Sequence, residues 1–131
     1  MYALVWVAFL DILLGVFSPF GYPTDLPIHA AVGLAIIGLA FYIQRRVGST
    51  QCPSRIKRIT RTTWYLAIVQ VILGAALVST TALSLGVLVT VIVVIHAVNA
   101  LAIITQASSS ATAFDMWEEN EFAPPTPAVA S

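Results

Sequence analysis

IHAAVGLAII, at residues 28–37, returns as IHAVNALAII at residues 95–104. The two stretches are identical at seven of ten positions, with a constant offset of 67 residues. Each carries one histidine at its second position, His29 in the first copy and His96 in the second. A repeat of this length indicates a duplicated structural unit, and it makes the two histidines equivalent positions of that unit.

A second, weaker repeat precedes each copy. FLDILLG, which contains Asp11 and Gly15, aligns with IVQVILG, which contains Gln70 and Gly74, at an offset of 59 residues. Each copy therefore holds one such segment and one histidine segment, which predicts a duplicated hairpin of two helices. Because both hairpins enter from the same side, their symmetry axis is expected to run along the membrane normal.

The composition indicates a membrane protein that is surrounded by lipid. Of its 131 residues 59% are apolar and 9% charged, and its mean hydropathy is +0.92. The charges of six basic and six acidic residues cancel, which excludes nucleic-acid binding as a primary role. The single cysteine cannot form an internal disulfide. A membrane core of about 30 Å needs roughly 20 helical residues. Four segments approach that length: 2–19, 26–44, 63–80 and 84–106.

Charge predicts the orientation of these spans. All six Lys and Arg residues lie within 45–61, between the second and third spans, and the positive-inside rule places that connection in the cytoplasm. The expected fold is an all-α integral membrane bundle of four transmembrane helices, over residues 1–107, with both termini cytoplasmic. Residues 108–131, which include an acidic and a proline-rich stretch, are expected to form a mobile cytoplasmic tail.

The histidines are the candidate functional residues. Ionisable side chains inside a membrane are costly and normally face the bundle interior, and neutral imidazole is a common axial ligand of haem iron. Two histidines at equivalent positions therefore favour a b- or o-type haem held between the second and fourth helices. Small residues follow each histidine and either flank a porphyrin or allow tight helix packing: Ala30, Gly33, Ala97 and Ala100.

Two acids lie near the histidines in the predicted arrangement. Asp11 either exchanges protons near the cofactor or bonds a neighbouring helix, and Asp25 either orients His29 or caps the second helix. No basic residue reaches the expected depth of the histidines. The haem propionates are therefore expected to use water, backbone amides or the hydroxyl groups near Thr24 and residues 79–81.

The succession FLDILLG, IHAAVGLAII, LAIVQVILGAALV and VVIHAVNALAII, within residues 5–106, resembles one half of the haem A synthase family. That family has two homologous four-helix halves, each with a histidine on its second and fourth helices. The resemblance implies that His29 and His96 bind haem and that the chain oxidises a methyl group of haem O to the formyl group of haem A. It also implies a homo-oligomer in a prokaryotic plasma membrane, with a haem O synthase or a terminal oxidase as partner.

The chain also departs from that family. Ala30 follows His29 where family members often have arginine, and the cysteine pair of the first outer loop is absent. These departures favour an alternative, a b-type cytochrome subunit that passes electrons through the same two histidines. A haem-free structural subunit or a small transporter is the third alternative.

Overall fold

A computed structural model describes residues 1–17 and 25–121 of the chain. These residues form four α-helices and no strand: α1 (Tyr2–Phe17), α2 (Asp25–Gly48), α3 (Ser54–Ala82) and α4 (Gly86–Glu121). The last three are long and apolar enough to cross a membrane, whereas α1 has 16 described residues, a rise of about 24 Å. The all-helical prediction is confirmed for this part of the chain.

The outer surface of the four helices is strongly apolar. Val87 is 84% exposed, Ile72 61% and Leu34 60%, and they belong to three different helices. Apolar exposure on this scale is unfavourable in water and costs nothing in hydrocarbon. The surface therefore agrees with helices that face lipid.

The helices pack in a closed ring. α1 packs against α2, α2 against α3, α3 against α4, and α4 returns to α1. The core that they share consists of small and aliphatic side chains, with Leu4, Ile36, Ala67 and Ile103 among its buried members. In this ring α2 and α4 stand diagonally opposite, so side chains from both meet at the centre.

The two helices of the second hairpin are joined by a tight turn at residues 83–85. Ser84 has a left-handed backbone with φ of 57°, its N–H donates to the carbonyl of Thr81, and the N–H of Leu85 donates to that of Thr80. These are the two hydrogen bonds of a Schellman motif, which satisfies the last carbonyls of a helix. The turn lets α4 start directly beside the end of α3.

Helices α3 and α4 extend further than hydropathy predicts. α3 begins at Ser54 and includes basic residues, and α4 continues through the segment expected to be a mobile tail as far as Glu121. In that segment Ala107, Ser110 and Ala111 are buried, and Phe114 and Trp117 continue the same helical face. Residues 108–121 are therefore helical, because this periodicity gives them a face to bury, and the expectation that 108–131 form a mobile tail stays a prediction; residues 122–131 lie outside the described part.

The extension of α4 packs against the basic connection between α2 and α3. We call this group the end cluster: Val47, Cys52 and Ile56 are buried, and Phe114 and Trp117 pack against them. The Tyr2 hydroxyl also donates a hydrogen bond to Asp115. The end of the bundle that carries the basic residues, here the basic end, is therefore closed by parts of all four helices.

Candidate functional site at the two histidines

His29 and His96 lie next to each other at the centre of the ring of helices. Their ring centroids are 6.2 Å apart, and the ring planes meet at 67°. His29 is the fifth residue of α2 and His96 the eleventh of α4, so both lie toward the end of the bundle opposite the basic residues. The structure thus brings together the two residues that the repeat made equivalent.

Asp11 fixes the chemical form of His29. The Nδ1 atom of His29 is 3.1 Å from the backbone carbonyl oxygen of Asp11 and 2.9 Å from its carboxylate Oδ1. Both oxygens of this contact are acceptors when the acid is ionised, so Nδ1 must carry the hydrogen. The hydrogen points to the carbonyl, and Oδ1 has no aligned donor within the described residues. In a neutral His29 the lone pair is therefore on Nε2.

Two equivalent glycines lie against the two imidazoles. A Cβ atom on Gly15 would lie 3.2 Å from Cε1 of His29 and 3.7 Å from its Nε2. A Cβ atom on Gly74 would lie 3.5 Å from Cε1 of His96. Each glycine thus lets an imidazole approach the neighbouring helix. The sequence repeat aligned these glycines, but it did not reveal that they touch the histidines.

The second hairpin does not repeat the contact of Asp11. Gln70 occupies the equivalent position, yet its Oε1 accepts a hydrogen bond of 2.7 Å from Nδ2 of Asn99, which also donates to the Leu66 carbonyl at 3.0 Å. Nδ1 of His96 is buried and has no partner among residues 1–17 and 25–121. The two imidazoles therefore have unequal surroundings, which the repeat alone did not predict.

The small residues that follow the histidines divide into two groups. Gly33 lies beside the acid, since a Cβ atom there would be 3.9 Å from Oδ2 of Asp11. Ala100 is partly buried, whereas Ala30 and Ala97 are exposed. Gly33 therefore borders the carboxylate at ordinary contact distance, and a flanking role of all four residues at a porphyrin remains a prediction.

The other predicted polar groups lie outside the described part or bond elsewhere. Asp25 begins α2, but its side chain lies outside what the structure describes, as does Thr24. Ser79, Thr80 and Thr81 donate their hydroxyl hydrogens to carbonyls four residues earlier in α3, at 2.8–2.9 Å. These donors are in use, which weighs against the expectation that they serve propionates.

The donor set suits a haem iron better than a bare ion. The described residues contain no group of three or more metal-ligating side chains that could hold an ion by themselves. A haem iron needs only axial ligands from the protein. His29 and His96, whose ring centroids are 6.2 Å apart, are the two side chains that would supply nitrogen ligands to such an iron.

An apolar groove lies beside this site on the first hairpin. It has a volume of about 560 Å³ and is lined by Leu10, Leu13, Leu14, Val7 and Val32. The lining residues of α1 lie on a different face of the helix from Asp11, whose side chain is buried. The lining contains neither histidine, so this groove and the imidazole pair are separate features of the hairpin.

The chain matches no known family model, no curated protein and no solved structure. The resemblance to the haem A synthase family therefore stays a prediction from the quoted sequence motifs.

Proposed function

We propose that this chain is a multi-pass membrane haem protein whose iron ligands are Nε2 of His29 and a ring nitrogen of His96. The observation that carries the proposal is the meeting of two repeat-related imidazoles at the bundle centre, 6.2 Å apart. The described residues contain no group of three side chains placed to hold a bare ion, so the proposal assigns the remaining ligands to a macrocycle. We place the basic end in the cytoplasm, and the host membrane is a prokaryotic plasma membrane.

Bound haem would supply one-electron chemistry at the centre of the bundle. The residues of the chain prepare that position. Asp11 holds the Nδ1 hydrogen of His29 and so presents Nε2 as a ligand, and Gly15 and Gly74 let the rings lie close to α1 and α3. Ring orientation of this kind raises the basicity of a ligating histidine.

The activity we favour is that of a haem A synthase, with haem O as substrate. Oxidation of a methyl group to a formyl group with water as the source of oxygen releases four electrons and four protons, so the reaction needs a proton acceptor and an electron acceptor outside this chain. The buried carboxylate of Asp11 is the candidate proton acceptor at the histidines. This chain supplies one histidine pair, so a second haem for electron transfer implies a second copy, and the proposed assembly is a homo-oligomer.

One observation favours the second candidate, a b-type electron-transfer subunit. Two imidazoles that both bind one iron leave no position open for a substrate oxygen. The sequence departures from the synthase family point the same way. In that case the partner is a respiratory complex, whereas the synthase would work with a haem O synthase or a terminal oxidase.

An absorption spectrum tests the step that both candidates share. The purified protein, supplied with haem, is expected to show a low-spin Soret band, and His29→Ala or His96→Ala should shift it toward high spin or remove it. Asn99→Ala is the matched control, since Asn99 lies near the same level and bonds Gln70, not a histidine. Wild-type protein without a Soret band would refute the haem proposal.

A second experiment separates the two candidates. The chain is coexpressed with a source of haem O, and the haems are extracted and identified. A synthase generates haem A, and Asp11→Asn should reduce the yield while leaving the Soret band in place. Haem-loaded protein that never generates haem A identifies the electron-transfer subunit instead.

A further inference from the structure

Three exposed arginines lie on one edge of the basic end, where α2 packs against α3. Arg45 lies nine residues after the buried Ile36 of α2, and Arg58 lies nine residues before the buried Ala67 of α3. Nine residues are two and a half helical turns, so both arginines lie on the outward faces of their helices. Arg61 is exposed about one turn further along α3. We call these three residues the arginine edge.

The two helices bring these arginines to one depth. Arg45 lies 16 residues beyond His29 on α2. Arg58 lies 16 residues before Gly74 on α3, the glycine that packs on the other histidine. Both segments rise about 24 Å, and Arg61 lies about one turn nearer to the histidines. The arginine edge therefore spans a narrow band at the basic end.

An aromatic cluster joins α2 and α3 just inside this band. The ring centroids of Phe41 and Trp64 are 5.5 Å apart, and those of Trp64 and Tyr65 are 5.0 Å apart. The guanidinium carbon of Arg45 lies 5.8 Å from the centroid of the Phe41 ring, a cation–π contact that holds this side chain over the cluster. Arg61 precedes Trp64 and Tyr65 by one helical turn and so borders the cluster from α3.

No acid of the described residues pairs with the arginine edge. The ion pair found within residues 1–17 and 25–121 joins Asp11 to His29, far from the basic end. The acids at the basic end belong to the extension of α4, where Asp115 accepts a hydrogen bond from Tyr2 of α1. The α4–α1 contact lies across the ring of helices from the α2–α3 contact. The arginine edge therefore presents positive charge that no acid in the described part of the chain balances.

The order of side chains along this edge matches the order of groups in a phospholipid. The arginines lie outermost, and a guanidinium binds a phosphate through paired N–H groups. The aromatic cluster follows at the level where such rings favour the membrane interface. Exposed apolar residues come next, Leu34 on α2 and Ile72 on α3. At Gly38, between Leu34 and the cluster, a Cβ atom would meet nothing within 4 Å, so an acyl chain can lie against the helix there.

We propose that the arginine edge binds one anionic phospholipid from the leaflet at the basic end. The lipid phosphate lies at the three guanidinium groups, and its chains lie along α2 and α3 beside the aromatic cluster. Basic residues that cluster beside a membrane span are typical of sites for anionic lipid. The site lies about 20–24 Å from the histidines and does not depend on the haem proposal.

Native mass spectrometry tests this site. The full chain in detergent micelles is titrated with dioleoyl phosphatidylglycerol and, separately, with dioleoyl phosphatidylcholine. One phosphatidylglycerol is expected to bind in preference to phosphatidylcholine. A basic residue at an anionic membrane surface contributes about five-fold to binding. Arg45→Gln, Arg58→Gln and Arg61→Gln should therefore each weaken phosphatidylglycerol binding about five-fold and leave phosphatidylcholine binding unchanged.

Two other arginines of the same end are matched controls. Arg46 lies about 100° around α2 from Arg45, and Arg55 lies about 120° around α3 from Arg61, so neither belongs to the arginine edge. Arg46→Gln and Arg55→Gln remove the same charge and should change phosphatidylglycerol binding little. Circular dichroism of each variant checks that the exposed substitution leaves the helices intact.

The remaining outcomes would overturn the proposal. Equal weakening by all five variants would show diffuse attraction to the basic end in place of a site. Equal affinity for the two lipids would refute the preference for an anionic headgroup. Displacement of the lipid by inorganic phosphate at equal concentration would assign the edge to a soluble phosphate, and lipid binding that no variant changes would assign it to an acidic protein. The Soret band is expected to stay the same in every variant, so failure here leaves the haem proposal intact.

Discussion

Replacing Gly15 by alanine tests how firmly His29 is held. In a helix interior this exchange stabilises by about 0.5–1 kcal/mol through the unfolded chain. The new Cβ atom would lie 3.2 Å from Cε1 of His29, so the ring must move. Movement away from α1 lengthens the 3.1 Å contact of Nδ1 with the Asp11 carbonyl, a hydrogen bond that contributes about 1 kcal/mol. Overpacking of this kind costs about 1–3 kcal/mol, so we expect a net loss of about 0.5–2 kcal/mol.

Two other glycines are matched controls. A Cβ atom on Gly74 meets His96 at an ordinary 3.5 Å, and one on Gly38 meets nothing within 4 Å. Both alanine variants should gain about 0.5–1 kcal/mol. The measurement is urea unfolding in detergent micelles, followed by circular dichroism. A Gly15→Ala variant that is as stable as Gly38→Ala would refute the idea that the close packing of His29 against α1 leaves no room for a side chain at position 15.

Three further predictions concern the rest of the bundle. Ser49→Cys in a Cys52→Ser background should react with an impermeant maleimide only after cells are opened. Labelling of intact cells would contradict a cytoplasmic basic end. The native Cys52 is a poor reporter because it is only 5% exposed. Trp117→Ala should destabilise the end cluster by about 2 kcal/mol and increase the reactivity of Cys52 in micelles, whereas the exposed neighbour Met116→Ala should do neither. Ser84→Gly should raise unfolding stability by about 1 kcal/mol because it relieves a φ of 57°, and unchanged stability would show that this turn is unstrained.

Hydropathy predicted the four helices, and the sequence repeat predicted that the histidines occupy equivalent positions facing the bundle interior. It carries this information because equivalent positions in a duplicated hairpin face the same interior. His29 and His96 needed no further signal to be placed together. Their unequal hydrogen bonding was not predictable from the repeat. It depends on the residue at one equivalent position, Val32 in the first hairpin and Asn99 in the second, and on the side-chain directions of Asp11 and Gln70.

The ends of the helices were predicted less well, and for a physical reason. Hydropathy marks the part of a helix that lipid surrounds, whereas a helix continues wherever its residues favour helix and one face has something to pack against. Basic residues are good helix formers, so α3 starts at Ser54. The extension of α4 is polar on average, but its periodic small and aromatic residues pack on the end cluster.

The length of α4 has a mechanical consequence. His96, Ile103, Ser110 and Trp117 follow one another at intervals of seven residues along a single unbroken helix. A seven-residue period keeps one stripe of a helix turned toward its neighbours. Because a straight α-helix drifts by about 20° per heptad, the imidazole in the membrane and the indole of the end cluster lie about 60° apart in rotation, on one broad face of α4. Insertion of a single residue between them would turn one against the other by about 100°, so the imidazole and the indole could not both keep their present packing.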